Sequence, residues 1–218
     1  MAYTRGTSTN IIVGAAALFV ADTTLDENSL EAFDANESFK DTLQDLADAD
    51  AGYTNVGYTM NGLELQFQPD FGEVQVDQVL DVAKLYKQGM KVNLATAFAE
   101  ATLENLLLAL AYSSSKLGAA AGKGTSNGQT LDLSAGDIGE CPVERGIVAV
   151  GPGTGDCAES GYVERVYTAY RALSIENVTV SAKRDAASMF EVNFRLLPED
   201  VSGSYGKIVD RSWGAGTN

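Results

Sequence analysis

Residues 56–110 read VGYTMNGLELQFQPDFGEVQVDQVLDVAKLYKQGMKVNLATAFAEATLENLLLAL, and their hydrophobic period changes once along that length. Apolar and polar side chains alternate in three runs, at 63–68, 73–77 and 92–98. Alternation at a period of two predicts strands that bury one face and leave the other face polar. From Thr102 the period becomes helical, because four leucines share one stripe: Leu103, Leu106, Leu107 and Leu110. The sequence therefore predicts strands at 63–68, 73–79 and 90–98, followed by a helix near 100–112.

The polar side chains of the first two predicted strands form the candidate functional surface. Asn61-Gly62 and the run 69–72 (PDFG) predict turns that bracket the first of these strands, 63–68. The polar faces hold no nucleophile with a base and no ligand cluster, so we expect a surface that acts through its shape and charge. The residues expected there are Glu64, Gln66, Gln68, Glu73, Gln75 and Asp77. The apolar residues expected in the core opposite them are Leu63, Leu65, Phe67, Val74 and Val76.

The composition of the 218-residue chain excludes several classes of enzyme. It holds 30 acidic and 15 basic residues, for a formal net charge of -15, and it has no histidine. Without histidine, Ser/His/Asp and Cys/His mechanisms are impossible within this chain. We expect no catalytic residue, no metal site and no cofactor, and the remaining catalytic alternative is a hydrolase that uses carboxylates.

Two segments that precede this stretch carry further expectations. Residues 11–21 (IIVGAAALFVA) form the longest apolar run, which is too short to span a bilayer, so we expect a buried first strand and no membrane insertion. A signal-peptide core is the alternative, but Phe19 stands where a small residue is wanted. Residues 22–52 predict an acidic loop insertion with one short helix near 38–49, either as plain surface or as a loop that reaches a partner subunit.

The rest of the chain predicts mainly strands joined by loops. Residues 113–129 are small, polar and Gly-rich, which is typical of a flexible loop. We expect strands at 131–133, 147–150 and 162–172, and a hairpin formed by 178–181 and 189–197. Residues 1–10 and 199–218 are expected to be N- and C-terminal arms. Cys141 and Cys157 flank a Gly-rich segment, and either a disulfide or two thiols would fit them.

These elements together predict the fold class. We expect a single domain, residues 1–218, that is mainly β: a β-sandwich or barrel-like core with one flanking α-helix, long loops and arms at both ends. Many short strands punctuated by turns favour this architecture over an α/β fold, because only one segment has a strong helical period.

Three pieces of residues 56–110 follow one another in an order that resembles a known family. They are VGYTMNGLELQF, then GEVQVDQ, then KVNLATAFAEATLENLLLAL. The N-terminal TSTNIIVGAAALFVAD and the closing VTVSAKRDAASMFEVNFRLLPED fit the same pattern, so that about half of the chain is covered. The family is that of the tail tube (major tail) proteins of long-tailed bacteriophages. None of these pieces is a catalytic signature, so the resemblance rests on their order.

The resemblance implies a structural protein. Members of that family have a β-sandwich or barrel core with one flanking helix, and they form hexameric rings that stack into a hollow tube through which DNA passes. The resemblance implies that the six polar residues of the candidate surface face the lumen and that DNA transits without specific binding. It also implies other tail proteins as partners, such as the tape measure and the terminator, and a location in the virion after synthesis in the host cytoplasm.

Two other functions remain open at this point. One is another virion component, such as a tail terminator or a decoration protein. The other is a β-sandwich module that binds a surface carbohydrate or receptor, which would need an exposed aromatic cluster on one face. The aromatic residues are instead spread along the predicted strands. A lumen of acids and neutral amides would repel phosphates, so the tube subunit is the leading hypothesis.

Overall fold

Strands dominate the structure, a computed structural model that describes residues 11–26, 46, 52–78, 80–119, 128–135, 139, 141–154, 161–180, 184–185 and 187–214. In chain order the strands are β1 (Ala17–Ala21), β2 (Tyr53–Asn55), β3 (Thr59–Val74), β4 (Lys84–Phe98), β5 (Leu117–Ala119), β6 (Gln129–Leu131), β7 (Arg145–Pro152), β8 (Gly161–Ser174), β9 (Phe190–Leu197) and β10 (Gly206–Gly214). One α-helix, α1 (Leu103–Ala109), lies wholly within the described residues, and a short 3-10 helix (Ser114–Lys116) follows it.

Eight of these strands form one antiparallel sheet within the described residues, and β5 pairs separately with β6. The strand order is β2-β1-β7-β8-β9-β4-β3, and β10 pairs with β8 beside this path. Because β2 and β3 stand at the two ends of the order, the sheet is open rather than a closed barrel. The predicted class, mainly β with a flanking helix, is confirmed.

The sheet branches at β8, because one side of this strand serves two partners. Residues 161–169 pair with β10, and residues 171–174 pair with β9. β10 therefore continues a first layer with β1, β2 and β7, whereas β9, β4 and β3 form a second layer. The Tyr205 hydroxyl, just before β10, donates to the Met90 carbonyl of β4 at 2.9 Å and links the two layers.

The main core lies between these two layers. The first layer contributes Leu18, Ile147 and Ala169, and the second contributes Leu94 and Phe194, among others. Helix α1 closes one end of this core. Burying each large apolar side chain in such a core contributes about 1.5 to 3 kcal/mol, so the alternating strands are held chiefly by this face.

Helix α1 begins where the sequence predicts the change of period. The Thr102 hydroxyl caps it by accepting a hydrogen bond from the Asn105 backbone N–H at 3.2 Å. Its buried residues are Asn105, Leu107, Leu108 and Ala109. Of the predicted stripe of four leucines, Leu107 is buried and the half-buried Leu106 packs against the same core, whereas Leu103 and Leu110 are half-buried.

The first layer also buries its outer face, the side turned away from the main core. Phe19, Val148, Val150 and Val166 form a second cluster there, together with Leu46, which is helical and fully buried. Leu25 and Tyr53 pack against the same cluster. Leu46 lies within the short helix that the sequence predicts near 38–49. The other residues of the acidic insertion from 27 to 51 lie outside the described residues, as does the predicted N-terminal arm at 1–10.

The long β3–β4 hairpin corrects the sequence analysis. The predicted turn at 69–72 and the separate strands at 63–68 and 73–79 are wrong, because residues 59–74 form one strand that pairs with 84–98. Pro69 is compatible with this strand because β3 is an edge strand, where a missing N–H donor is tolerated. A register shift between Asp70 and Phe71 marks a bulge, and the actual turn lies between Val74 and Lys84.

Several other boundaries also differ from the predictions. β1 begins at Ala17 rather than residue 11, and Ile11 and Val13 are exposed. β5 lies within the predicted flexible loop, its partner β6 ends at Leu131, and residues 178–180 form no strand. Residues 206–214 of the predicted C-terminal arm form β10.

Cys141 is exposed and Cys157 lies outside the described residues, so the disulfide question stays open. No helix in the described part of the chain is long and apolar enough to cross a bilayer.

Candidate functional site

The side of the second layer that is turned away from the main core carries a continuous set of polar side chains, here called the polar face. The strand register places Glu64 opposite Ala95, Gln66 opposite Asn93, and Gln68 opposite Lys91. The face continues onto β9, because Asn93 lies opposite Arg195 and Ala95 opposite Asn193. Its members are Glu64, Gln66, Gln68 and Asp70 of β3, Lys91 and Asn93 of β4, and Glu191, Asn193 and Arg195 of β9.

Hydrogen bonds on the polar face join side chains to one another rather than arranging a reactive set. The Gln66 amide donates to the Glu64 carboxylate at 3.0 Å, and the Asn193 amide donates to the Glu176 carboxylate at 2.8 Å. A shallow groove of about 270 Å³ crosses the face and is lined partly by Glu64, Glu176 and Glu191. Within the described residues, no group of three or more potential ligands is arranged to hold a metal ion. The face therefore offers charge and hydrogen bonding to a passing or packed surface.

The structure divides the six residues of the predicted functional surface. Glu64, Gln66 and Gln68 share the polar face. Glu73 falls on the opposite side, because an odd spacing separates it from the other three along β3 and the extra residue of the bulge lies on β4, where Gly89 is opposite Asp70 and Lys87 is opposite Phe71. Gln75 and Asp77 follow the end of β3 and are exposed in the connection to β4. A common lumen-facing role for all six stays a prediction, and the geometry groups only the first three.

The outer edge of β3 is open. Within the described residues β3 pairs only with β4, so the other side of a 16-residue strand has no ladder partner. Beyond Leu65 almost every residue of β3 is exposed, and the hairpin extends past the main core. A long open edge is a template for pairing with another chain. This edge is therefore a candidate contact between copies.

The base of the hairpin is fixed to α1 by buried polar contacts. The Asn105 side chain, 2% exposed, donates to the carbonyls of Val56 and Glu100, both at 2.9 Å. The Glu100 carboxylate accepts from the Tyr58 backbone N–H at 2.9 Å. Gly57 lies between these contacts with a positive φ of 75°. These contacts set the direction in which β3 leaves the core, and hence the orientation of the polar face.

Sequence reasoning missed a second surface, here called the apolar cleft. It opens between the layers, where β3 and β4 diverge from β8 and β10, and has a volume of about 680 Å³. Its apolar lining includes Leu65, Phe67, Met90, Tyr167, Tyr205 and Ile208. Alternation predicted Phe67 in the core, yet this side chain is 57% exposed because the hairpin extends beyond the opposite layer. The only signal in the sequence was the continuation of apolar residues to Phe71.

No family model and no curated protein matches this chain in sequence.

Proposed function

We propose that this chain is a structural subunit that assembles into stacked hexameric rings, forming the hollow tail tube of a long-tailed bacteriophage. DNA passes through the tube without specific binding. The proposal rests on the sequence resemblance, and the observation that carries it furthest is the β3–β4 hairpin. This hairpin combines a long open edge with a polar face that lacks a reactive set.

The open edge supports assembly. A strand with an unused row of N–H and C=O groups gains hydrogen bonds when it pairs with a neighbouring copy. Repetition of one head-to-tail contact around an axis closes a ring and leaves no free β3 edge. The direction of the hairpin is fixed by the Asn105 contacts, so that each subunit presents its edge in the same orientation.

The polar face supports the role of a conduit. Glu64, Asp70 and Glu191 alternate on this face with amides and with the two cations Lys91 and Arg195. The chain as a whole has a net charge of -15, so a lumen lined by many copies has a negative potential. Such a wall gives phosphates no dense set of cations to bind, and DNA slides along it. In this proposal the polar face lines the lumen and the apolar cleft faces away from it.

The proposed partners and location follow from the tube. Further copies of the chain form the rings, and other tail proteins such as the tape measure and the terminator occupy the lumen and the end of the tube. The protein is made in the host cytoplasm and ends in the virion. A terminator or a decoration protein would share this location but would not form long tubes alone.

Electron microscopy of the purified protein over a series of rising concentrations tests the proposal. We expect rings or tubes with a central hole in negative stain, and a matching growth of sedimentation coefficient in ultracentrifugation. A particle that stays monomeric at every concentration would contradict the proposal.

A surface-binding module is the second candidate, because two exposed aromatic residues now lie on one side of the hairpin. Phe67 and Phe71 are four residues apart in β3, and both are more than half exposed. Carbohydrate arrays measured with the monomeric protein separate the two functions. Specific glycan binding that is lost on replacing Phe67 and Phe71, without ring formation, would favour the module.

A further inference from the structure

The apolar cleft has the volume and the exposed apolar lining that an apolar segment would need. Its volume of about 680 Å³ lies within the range of about 300 to 1,000 Å³ that encloses a ligand of several apolar groups. Phe67 on one wall and Ile208 on the other are 57% and 51% exposed, so apolar surface remains in contact with water on both sides. Covering such surface contributes roughly 25 cal/mol per Å².

The charges around the cleft favour an acidic occupant. Among the residues that the structure describes, the lining includes Lys87 and Lys207 and no acidic residue. The Lys87 ammonium lies 3.7 Å from the Met90 sulfur, on the cleft side of β4. Neither lysine forms an ion pair within the described part of the chain. In a chain with twice as many acids as bases, a cleft with two cations and no acid is complementary to most of the protein's own surface.

One segment of this chain combines the apolar and acidic side chains that such a cleft requires. Residues 27–45 read ENSLEAFDANESFKDTLQD, with six acids, one base, and the apolar side chains Leu30, Phe33, Phe39 and Leu43. Glu31 and Asp34 directly follow Leu30 and Phe33 in the sequence. The apolar side chains of Leu30 and Phe33 are complementary to the apolar lining of the cleft, and the neighbouring acids are complementary in charge to its lysines.

The two described residues that bracket this segment lie on the opposite side of the first layer from the cleft. Leu25 and Leu46, which bracket it, both pack on the outer face of the first layer with Val166. The next residues along β8, Tyr167 and Ala169, line the cleft on the other side of the sheet. Nineteen residues that leave and return to one face reach about 30 Å from it, enough to contact another molecule.

We propose that the apolar cleft binds residues 27–45 of a second copy of this chain. Leu30 and Phe33 enter the cleft, and the neighbouring acids pair with Lys87 and Lys207. The inference rests on the proposed function, since it names a contact between subunits of an assembly. This contact is separate from the head-to-tail pairing at the β3 edge, because it uses the side of the hairpin that lines the cleft rather than the open backbone edge.

A peptide-binding measurement on the isolated subunit tests the contact without requiring tubes. A labelled peptide of residues 27–45 is titrated with the full chain in fluorescence anisotropy, with a second peptide in which Leu30 and Phe33 are serine as the control. We expect the first peptide to bind and the serine peptide to bind at least about tenfold more weakly, a loss of about 1.4 kcal/mol. Phe67→Asp and Lys87→Glu should each weaken binding, whereas Val201→Asp, at an exposed apolar position outside the cleft lining, should not.

Cross-linking decides which copy supplies the segment. Isotope-labelled and unlabelled protein are mixed, treated with a zero-length carbodiimide cross-linker, and searched for links between Lys87 and the acids of 27–45. We expect links that join labelled to unlabelled peptides. Links found only between two labelled peptides or between two unlabelled peptides would show that each cleft holds the segment of its own chain, and would overturn the proposal.

The two proposals can fail separately. Tubes that form unchanged in Phe67→Asp, with no peptide binding and no cross-link at Lys87, would overturn the cleft contact and leave the tube intact. Peptide binding and mixed-isotope links without any ring or tube in electron micrographs would support the contact and contradict the tube.

Discussion

At the scale of single residues, Asn105 fixes where the functional hairpin leaves the core. Its amide donates to two carbonyls from two different segments, Val56 and Glu100, and is almost fully buried. Because one amide NH₂ group donates to both carbonyls, no other side chain of similar size can make both hydrogen bonds. The sequence offered no way to find this residue, since an asparagine inside a leucine-rich helix has no periodic signature.

We expect Asn105→Ala to lower the free energy of unfolding by about 2 to 3 kcal/mol, because two buried carbonyls lose their donor. Asn105→Asp should lower the free energy of unfolding by at least as much, since a carboxylate oxygen would face a carbonyl oxygen where the amide now donates. Urea denaturation followed by circular dichroism measures both values. Asn177→Ala, at an exposed position, is the control and should stay within about 0.5 kcal/mol of the parent. A small effect of Asn105→Ala would mean that the helix and hairpin are held by apolar contacts alone.

Gly57 is a second residue on which the hairpin base depends. Its φ of 75° favours glycine, and a Cβ there would collide with the Glu100 carboxylate. We expect Gly57→Ala to destabilise the protein by about 1 to 3 kcal/mol, since the backbone is strained and the Glu100 to Tyr58 hydrogen bond is displaced. Gly89→Ala is the matched control, because a Cβ at Gly89 meets open space. Equal melting temperatures for the two variants would rule out this role for Gly57.

At the scale of elements, β10 is held to β8 by two cross-strand ion pairs at successive positions of the ladder, one on each face of the sheet. Arg165 contacts both carboxylate oxygens of Asp210, at 2.5 and 2.6 Å, and Arg211 contacts the fully buried Glu164. The hydrogen bonds from Arg165 hold the pKa of Asp210 below its ordinary value. The backbone and hydroxyl of Ser202, with the Val201 N–H, likewise lower the pKa of Glu199 in the turn before β10.

These lowered pKa values predict how β10 responds to acid. A carboxylate whose pKa is lower in the folded state stabilises it above the unfolded pKa, and that contribution disappears as pH falls through the folded pKa. We therefore expect the melting temperature to fall as pH drops below about 4, where unfolded carboxylates titrate. Asp210→Asn should lower stability at neutral pH and flatten this decline. Asp132→Asn, an exposed acid without an ion pair in the described residues, should leave the curve unchanged. Parallel curves for Asp210→Asn and the parent would contradict the assignment.

Elements were predictable from the sequence wherever alternation was regular. The strands β4, β7, β8 and β9 and the start of α1 were predicted, because the spacing of apolar residues in each segment indicates which of its faces are buried. The turn predicted at residues 69–72 was wrong, since Pro-Asp-Phe-Gly has turn chemistry but the ladder with β4 keeps those residues extended. The sequence predicts an arm where β10 forms. The reason is that this strand is stabilised by pairing with β8, which is far away in the sequence.

At the scale of the whole molecule, the candidate site was only partly predictable. The sequence identified Glu64, Gln66 and Gln68, and the strand register keeps them together. The sequence analysis grouped Glu73 with them because it predicted a turn at 69–72, and a new strand after that turn could present Glu73 on the same face. The apolar cleft arises from the branching of the sheet at β8, a tertiary feature with no local signal in any one strand.

The polar face makes a prediction for assembled tubes. A triple variant with lysine at positions 64, 66 and 68 should still assemble, since these side chains are exposed on β3. Its tubes should retain double-stranded DNA at low salt and release it at high salt, with six or more phosphate contacts giving about a thousandfold loss of affinity between about 50 and about 200 mM salt. Filter binding with purified tubes measures this. The single variant Glu73→Lys, on the opposite side of β3, is the control, and equal retention by both would remove the polar face from the lumen.

The branch at β8 also matters while the chain is being made. Residues 206–214 follow the end of β8 by about thirty residues, so at about 5 to 20 residues per second the β8 edge waits about 2 to 6 seconds for its partner. During that interval Glu164 and Arg165 place opposite charges next to each other on the waiting edge, and such charges hinder pairing with other nascent chains. The cross-strand ion pair between Glu164 and Arg211 therefore forms only when β10 arrives.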